Sequence, residues 1–164
     1  MNDEFVQSVI ALQGLGWVVQ KRQQRARLPQ ECIERFPWLP SNVIDLVTGF
    51  DAIVAPSQQA WLITYPELSG ESDSAFSWDQ WEQDSLSVAA GDPVWQESIR
   101  SFWDEHFPIL LSVKSGYAYA AVRKDLSIVA GEEPEFEETE EIAEDFSRFL
   151  RLLVTADSNL SRWI

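Results

Sequence analysis

Apolar residues recur along this chain first at helical spacing, then in short runs, and finally at helical spacing again. From Glu4 to Gln13, the residues Phe5, Val6, Val9, Ile10 and Leu12 follow a 3.6-residue period that Gly14 interrupts, which predicts an opening helix. Trp17–Arg27 begins with β-branched residues and ends with helix formers, so its pattern leaves strand and helix both open. Pro29 opens a short predicted helix through Ile33 to Phe36, closed by Pro37. Pro40 opens another, with Val43, Leu46 and Val47 on one face and Gly49 at its end.

The period then shortens. Ala52–Val54 and Trp61–Thr64 read as strands separated by the turn residues Ala55–Pro56–Ser57. Pro66–Ser77 is polar and rich in Gly and Ser, which predicts a loop. Ser77 and Gln80 have the spacing of a capping box, so a short helix carrying Trp78 and Trp81 is expected next. Asp92–Pro93 marks a further helix start, with Trp95, Ile99, Phe102 and His106 on one face and Pro108 as its end. Ile109–Val113, Tyr117–Arg123 and Ser127–Ala130 are three apolar runs joined by Lys114–Ser115–Gly116 and Lys124–Asp125, the pattern of a β-meander. A closing helix is predicted from Thr139 to Val154, striped by Ile142, Phe146, Phe149, Leu150 and Leu153, with Thr139 as its cap. Helices, then a meander, then an amphipathic C-terminal helix specify an α+β single domain with a largely antiparallel sheet flanked by helices.

Composition narrows the function classes. The 164 residues include 45% hydrophobic residues and eight tryptophans, enough for one packed domain and far from a disordered composition. No apolar run approaches the roughly 20 residues that span a bilayer. Asp3 and Glu4 stand where a signal peptide would carry positive charge, so a cytoplasmic location is expected. The single cysteine, Cys32, excludes an internal disulfide framework. Twelve Lys and Arg against 27 Asp and Glu give a net charge of −15. The imbalance is uneven: ten carboxylates and no cation lie between Arg35 and Arg100, and nine more without a cation lie in Glu132–Asp145. Lys21, Arg22, Arg25 and Arg27 form a small basic cluster, which could face an acidic surface of a second copy. Such a balance argues against nucleic acid and anionic membranes and favours a basic protein partner.

A search for reaction chemistry finds no built constellation. His106 is the only histidine, and Asp104–Glu105–His106 would diverge around a helix rather than converge on a metal. It reads as a partly buried structural residue, with a hydrolase using His106 and a carboxylate as the alternative. Cys32 reads as a small core residue. Gly14–Leu15–Gly16 lacks the dinucleotide fingerprint, and no phosphate or calcium loop is present, so no cofactor is expected. The stretch Glu132, Glu133, Glu135, Phe136, Glu137 and Glu138 is either a solvated approach to the last helix or a recognition surface. Phe136, an apolar residue framed by charge, favours the second. Trp78 and Trp81, in the other cation-free stretch, are either core residues or interface anchors.

The segment Ile33–Glu34–Arg35–Phe36–Pro37–Trp38–Leu39–Pro40, with Val43, Leu46, Val47 and Gly49, resembles the opening of SUKH-superfamily domains. This SMI/KNR-like group includes cell-wall regulators and bacterial toxin-immunity proteins. Trp61–Leu62–Ile63, Ile109–Leu110–Leu111, Gly116–Tyr117 and Ser127–Ile128–Val129 resemble its strands. Ile142–Ala143–Glu144–Asp145–Phe146–Ser147–Arg148–Phe149–Leu150 resembles its closing helix. The resemblance covers residues 33–153 and leaves residues 1–32 as an N-terminal helical extension. It implies a sheet flanked by helices and a non-catalytic binding role, often neutralisation of a toxic nuclease. A multi-partner regulatory scaffold is the other binding role compatible with it.

Overall fold

The N-terminal helical period produces α1 (Asp3–Gly14), which buries Phe5, Val9 and Leu12. In this computed structural model, which describes residues 3–71 and 76–164, the chain then turns through Gly16 at φ 91°. That backbone region is open to glycine and strained for other residues. The ambiguous stretch after Trp17 resolves into a strand, β1 (Val18–Lys21), inside the segment expected to be a helical extension. Proline directs the next two elements as its fixed φ requires: α2 (Gln30–Arg35) follows Pro29, and α3 (Ser41–Gly49) follows Pro40. The strands β2 (Phe50–Val54) and β3 (Ala60–Leu62) match the first two apolar runs.

The predicted loop after residue 66 departs from expectation. Its first part forms α4 (Tyr65–Ser69), started by a reciprocal Thr64–Glu67 capping box and ended by Gly70 in the left-handed region; residues 72–75 lie outside the described residues. The Ser77–Gln80 box does not form. Asp79 occupies the cap position of α5 (Gln80–Val88), and the Ser77 hydroxyl donates to its carboxylate at 2.5 Å. Asp92 does cap α6 (Pro93–Asp104), accepting from the Trp95 amide at 3.0 Å.

The helix that His106 was expected to extend stops at Asp104. His106 and Pro108 belong instead to β4 (His106–Ser112), and the register shifts between Pro108 and Leu110, where a residue without an N–H is tolerated. The predicted meander follows as β5 (Ala118–Arg123) and β6 (Ile128–Glu132). Thr139 begins no helix. Thr139–Ala143 is a further strand, β7, which pairs with β6 from Thr139–Gly131 to Ala143–Ile128. Only then does α7 (Phe146–Val154) begin, capped by the Asp145 carboxylate, which accepts from the Arg148 amide at 2.7 Å. The stripe Phe146, Phe149, Leu150 and Leu153 is therefore helical as expected, but Ile142 reaches its half-buried place from a strand.

All seven strands form one sheet in the order β1-β2-β3-β4-β5-β6-β7, antiparallel throughout. Every residue of β4 is buried, so this strand is covered on both faces. Two helix pairs supply the cover. Phe5 of α1 lies 6.4 Å from Phe146 of α7 and 6.1 Å from Phe50, and Arg151 pairs with Glu4 across the same contact at 2.7 Å. On α5 and α6, Trp81 and Trp103 stack 6.5 Å apart and both meet Tyr119 of β5. Arg35 ties these helices to α2, with two bonds of 2.9 Å to Glu82 and one of 2.8 Å to Asp104.

The revised boundary can be measured. Asp145→Ala removes a cap and should cost about 1 kcal/mol of unfolding free energy, while Thr139→Ala on the outer strand should change it by less than about 0.5 kcal/mol. Urea denaturation separates the two. A larger loss at Thr139 would restore the longer helix.

Candidate functional site

Five of the acidic residues singled out above lie on the segment that leaves β6 and returns as β7, and the core holds that segment down. The Glu133 amide donates to the Tyr117 carbonyl at 2.9 Å, and its carboxylate accepts from the Tyr117 amide at 3.1 Å. The buried Tyr119 hydroxyl donates to the Phe136 carbonyl. The Glu137 carboxylate accepts from the Trp103 indole N–H at 2.9 Å, and the Glu138 amide closes a turn on Glu135 at 3.0 Å. Gly131, opposite Tyr119 across β5 and β6, makes this possible: a Cβ there would lie 2.6 Å from the Tyr119 hydroxyl oxygen.

Held in this way, residues 134–138 form one wall of a groove of about 250 Å³. The other wall comes from α5 and the first turn of α6. Asp84 and Val88, one helical turn apart, point outward while Trp81 points in. Trp95 stands beside them with 47% of its surface exposed, and Val88 is 72% exposed. Phe136 is buried at its floor, Val88, Trp95 and Pro134 add apolar surface at its sides, and four carboxylates join the lining as its rim: Asp84, Glu135, Glu137 and Glu138. Among the described residues no Lys, Arg or His lines it.

Several carboxylates elsewhere are ion-paired. Arg22 serves Asp51 at 2.5 Å and Glu71 at 3.3 Å, and Arg25 serves Asp45. Arg123 serves Asp125 and Glu141, and Arg162 serves Glu132 and Glu140. Among the described residues, none of the four rim carboxylates has an ion-pair partner. Burial pushes the Tyr117 phenol up, with a further push from Asp84; burial does the same to Tyr119, with Glu137 adding to it. Both phenols therefore keep their protons well beyond neutral pH.

The residues expected to form the surface divide into four groups. Glu135, Glu137 and Glu138 line the groove. Glu132 faces Arg162 at 3.9 Å, and Glu133 is bonded to Tyr117, so both serve the fold. Phe136 is buried with its ring edge-on to Tyr117 at 5.7 Å, so it is floor rather than a projecting anchor. Trp78 and Trp81 are interior. Trp78 packs on Phe36 and Phe107, and Trp81 on Phe76, Trp103 and both tyrosines, because the aromatic core closes over them. Asp84, Val88 and Trp95 escaped sequence reasoning, since only the folded sheet brings residues 84–95 to residues 134–138. The basic cluster is also less free than its sequence suggests, because Arg22 and Arg25 find carboxylates within the chain.

The residues considered for catalysis are placed differently. His106 is buried, stacked on Phe102 at 3.8 Å, with Nδ1 2.7 Å from the Phe102 carbonyl oxygen. Desolvation lowers its pKa, which favours the neutral ring. Burial pushes the Cys32 thiol up to about 11, so little thiolate exists at neutral pH. Among the described residues no group of three potential ligands could hold a metal, and no helix is long and apolar enough to cross a membrane. No protein-family model, curated protein or solved structure matches the chain.

The tyrosine shifts set a pH dependence. Above the ordinary phenol value near 10, the unfolded chain releases protons that the native chain retains. Stability therefore falls as pH rises beyond about 10. Tyr119→Phe should flatten that fall, in urea titrations between about pH 8 and 11, at a cost of about 1 kcal/mol at neutral pH from the lost hydrogen bond. An equal slope in both proteins would contradict the assignment.

Proposed function

We propose that this chain is a non-catalytic protein-binding module whose acidic groove receives a basic segment of its partner. The observation that carries the reading is the rim of four carboxylates without intramolecular cations around an apolar floor. Apolar floors give an interface its affinity, and an uncompensated rim gives it orientation and a fast encounter. A net charge of −15 adds long-range attraction for a cationic protein and repels nucleic acid.

The sheet flanked by helices agrees with the architecture that the SUKH resemblance implies. In this reading residues 33–153 are the SUKH-like core, residues 1–32 an extension joined to it through α1 and through the pairing of β1 with β2, and the protein a cytoplasmic immunity protein. Its partner is then a cationic toxin of nuclease type.

Co-expression with the product of an adjacent gene tests this. A stable complex and relief of that product's toxicity are expected. The combined change Asp84→Asn, Glu135→Gln and Glu138→Gln should weaken the complex on the order of tenfold at about 0.1 M salt and reduce its salt dependence. Unchanged affinity in that variant would remove the groove from the interface, and toxicity that persists despite co-expression would end the immunity role.

A further inference from the structure

Three times in this chain an arginine is held by the same three groups, one aromatic ring and two carboxylates. Arg22 lies 4.4 Å from the Tyr65 ring centre and bonds Asp51 and Glu71. Arg35 lies 5.3 Å from the Phe36 ring centre and bonds Glu82 and Asp104. Arg162 lies 4.2 Å from the Trp163 ring centre and pairs with Glu132 and Glu140. The chemistry is general: a planar guanidinium offers its face to a π-system and its edge to carboxylates at the same time, which a lysine ammonium cannot do.

The groove presents the same groups without an arginine of this chain. Trp95 is the ring, half exposed, and Asp84, Glu135 and Glu138 are the carboxylates. Glu137 already accepts the Trp103 N–H, and Asp84 accepts from Gln80 Nε2 at 2.8 Å, which orients both. At about 250 Å³ the groove is smaller than the roughly 300–1,000 Å³ of sites that enclose a small molecule. One long side chain and part of an apolar neighbour fit such a space.

Resting on the reading of the groove as the partner surface, we infer that it recognises an arginine carried by a protein partner. The guanidinium lies against Trp95 and between the carboxylates of Glu135 and Glu138, and an apolar residue next to it in the partner covers Val88.

The test uses four probes titrated into the full chain: the blocked peptide Gly-Leu-Arg-Leu-Gly, its lysine and citrulline counterparts, and free L-arginine. The Trp95 indole N–H resonance reports on the groove, and calorimetry gives the affinity. The arginine peptide should bind about fivefold or more tighter than the lysine peptide, and the isosteric, uncharged citrulline peptide should not bind. Trp95→Ala, and separately Glu135→Gln with Glu138→Gln, should each weaken the arginine peptide about tenfold while leaving the thermal midpoint within a few degrees. Equal binding of lysine and arginine peptides, with no effect of Trp95→Ala, would overturn the inference but leave a charged partner groove standing. Binding of citrulline as tight as arginine would overturn it as well, as would free arginine matching the peptide. If no cationic peptide shifts Trp95, the inference and the groove reading fall together.

Discussion

The hydroxyl of Tyr119 donates to the carbonyl of Phe136, and the shape of the acidic segment follows from that bond. Tyr119 is buried on β5 against both Trp81 and Trp103, so its position is set by the core rather than by solvent. Its partner across the strands has to be glycine, because the phenol occupies the place of a side chain at residue 131. Burial keeps the phenol protonated at neutral pH, so the donor is available there. A segment carrying five glutamates between residues 132 and 138 is thereby held against the protein despite its own repulsion.

Charge is apportioned with the same consequence. Several of the scarce cations are committed to carboxylates that lock elements together, as Arg35 does for three helices and Arg151 does for the two terminal ones. Four carboxylates without an ion-pair partner among the described residues lie together where α5, α6 and the 134–138 segment meet. Net acidity by itself would mean only solubility. Acidity left without a counter-charge beside an exposed tryptophan is the feature on which the proposed recognition of a cation rests.

Much of the fold was legible in the residues. Proline before α2 and α3, Asp92–Pro93 before α6, and the three apolar runs of β4, β5 and β6 each act locally, through φ, capping or an unbroken apolar run. The errors came where local signals compete with sheet pairing. Ile142 and Phe146 have helical spacing, yet the backbone of residues 139–143 finds partners on β6 and becomes a strand. His106 continues the face of α6 in spacing, yet pairs with Arg123. The site was half legible. Glu135, Glu137 and Glu138 are neighbours in sequence, and their charge announced them. Asp84 and Trp95 join them through tertiary structure alone, and Trp78 and Trp81 went inward because large aromatic area gains most from burial.

The central claim is that one groove, rather than the charged surface as a whole, meets the partner. Hydrogen exchange on the complex with that partner measures this directly. Slowed exchange confined to residues 133–138 and to the exposed turns around residues 84–95 is the predicted result. Protection centred on residues 22–27 or on α1, with the 133–138 amides unchanged, would contradict it.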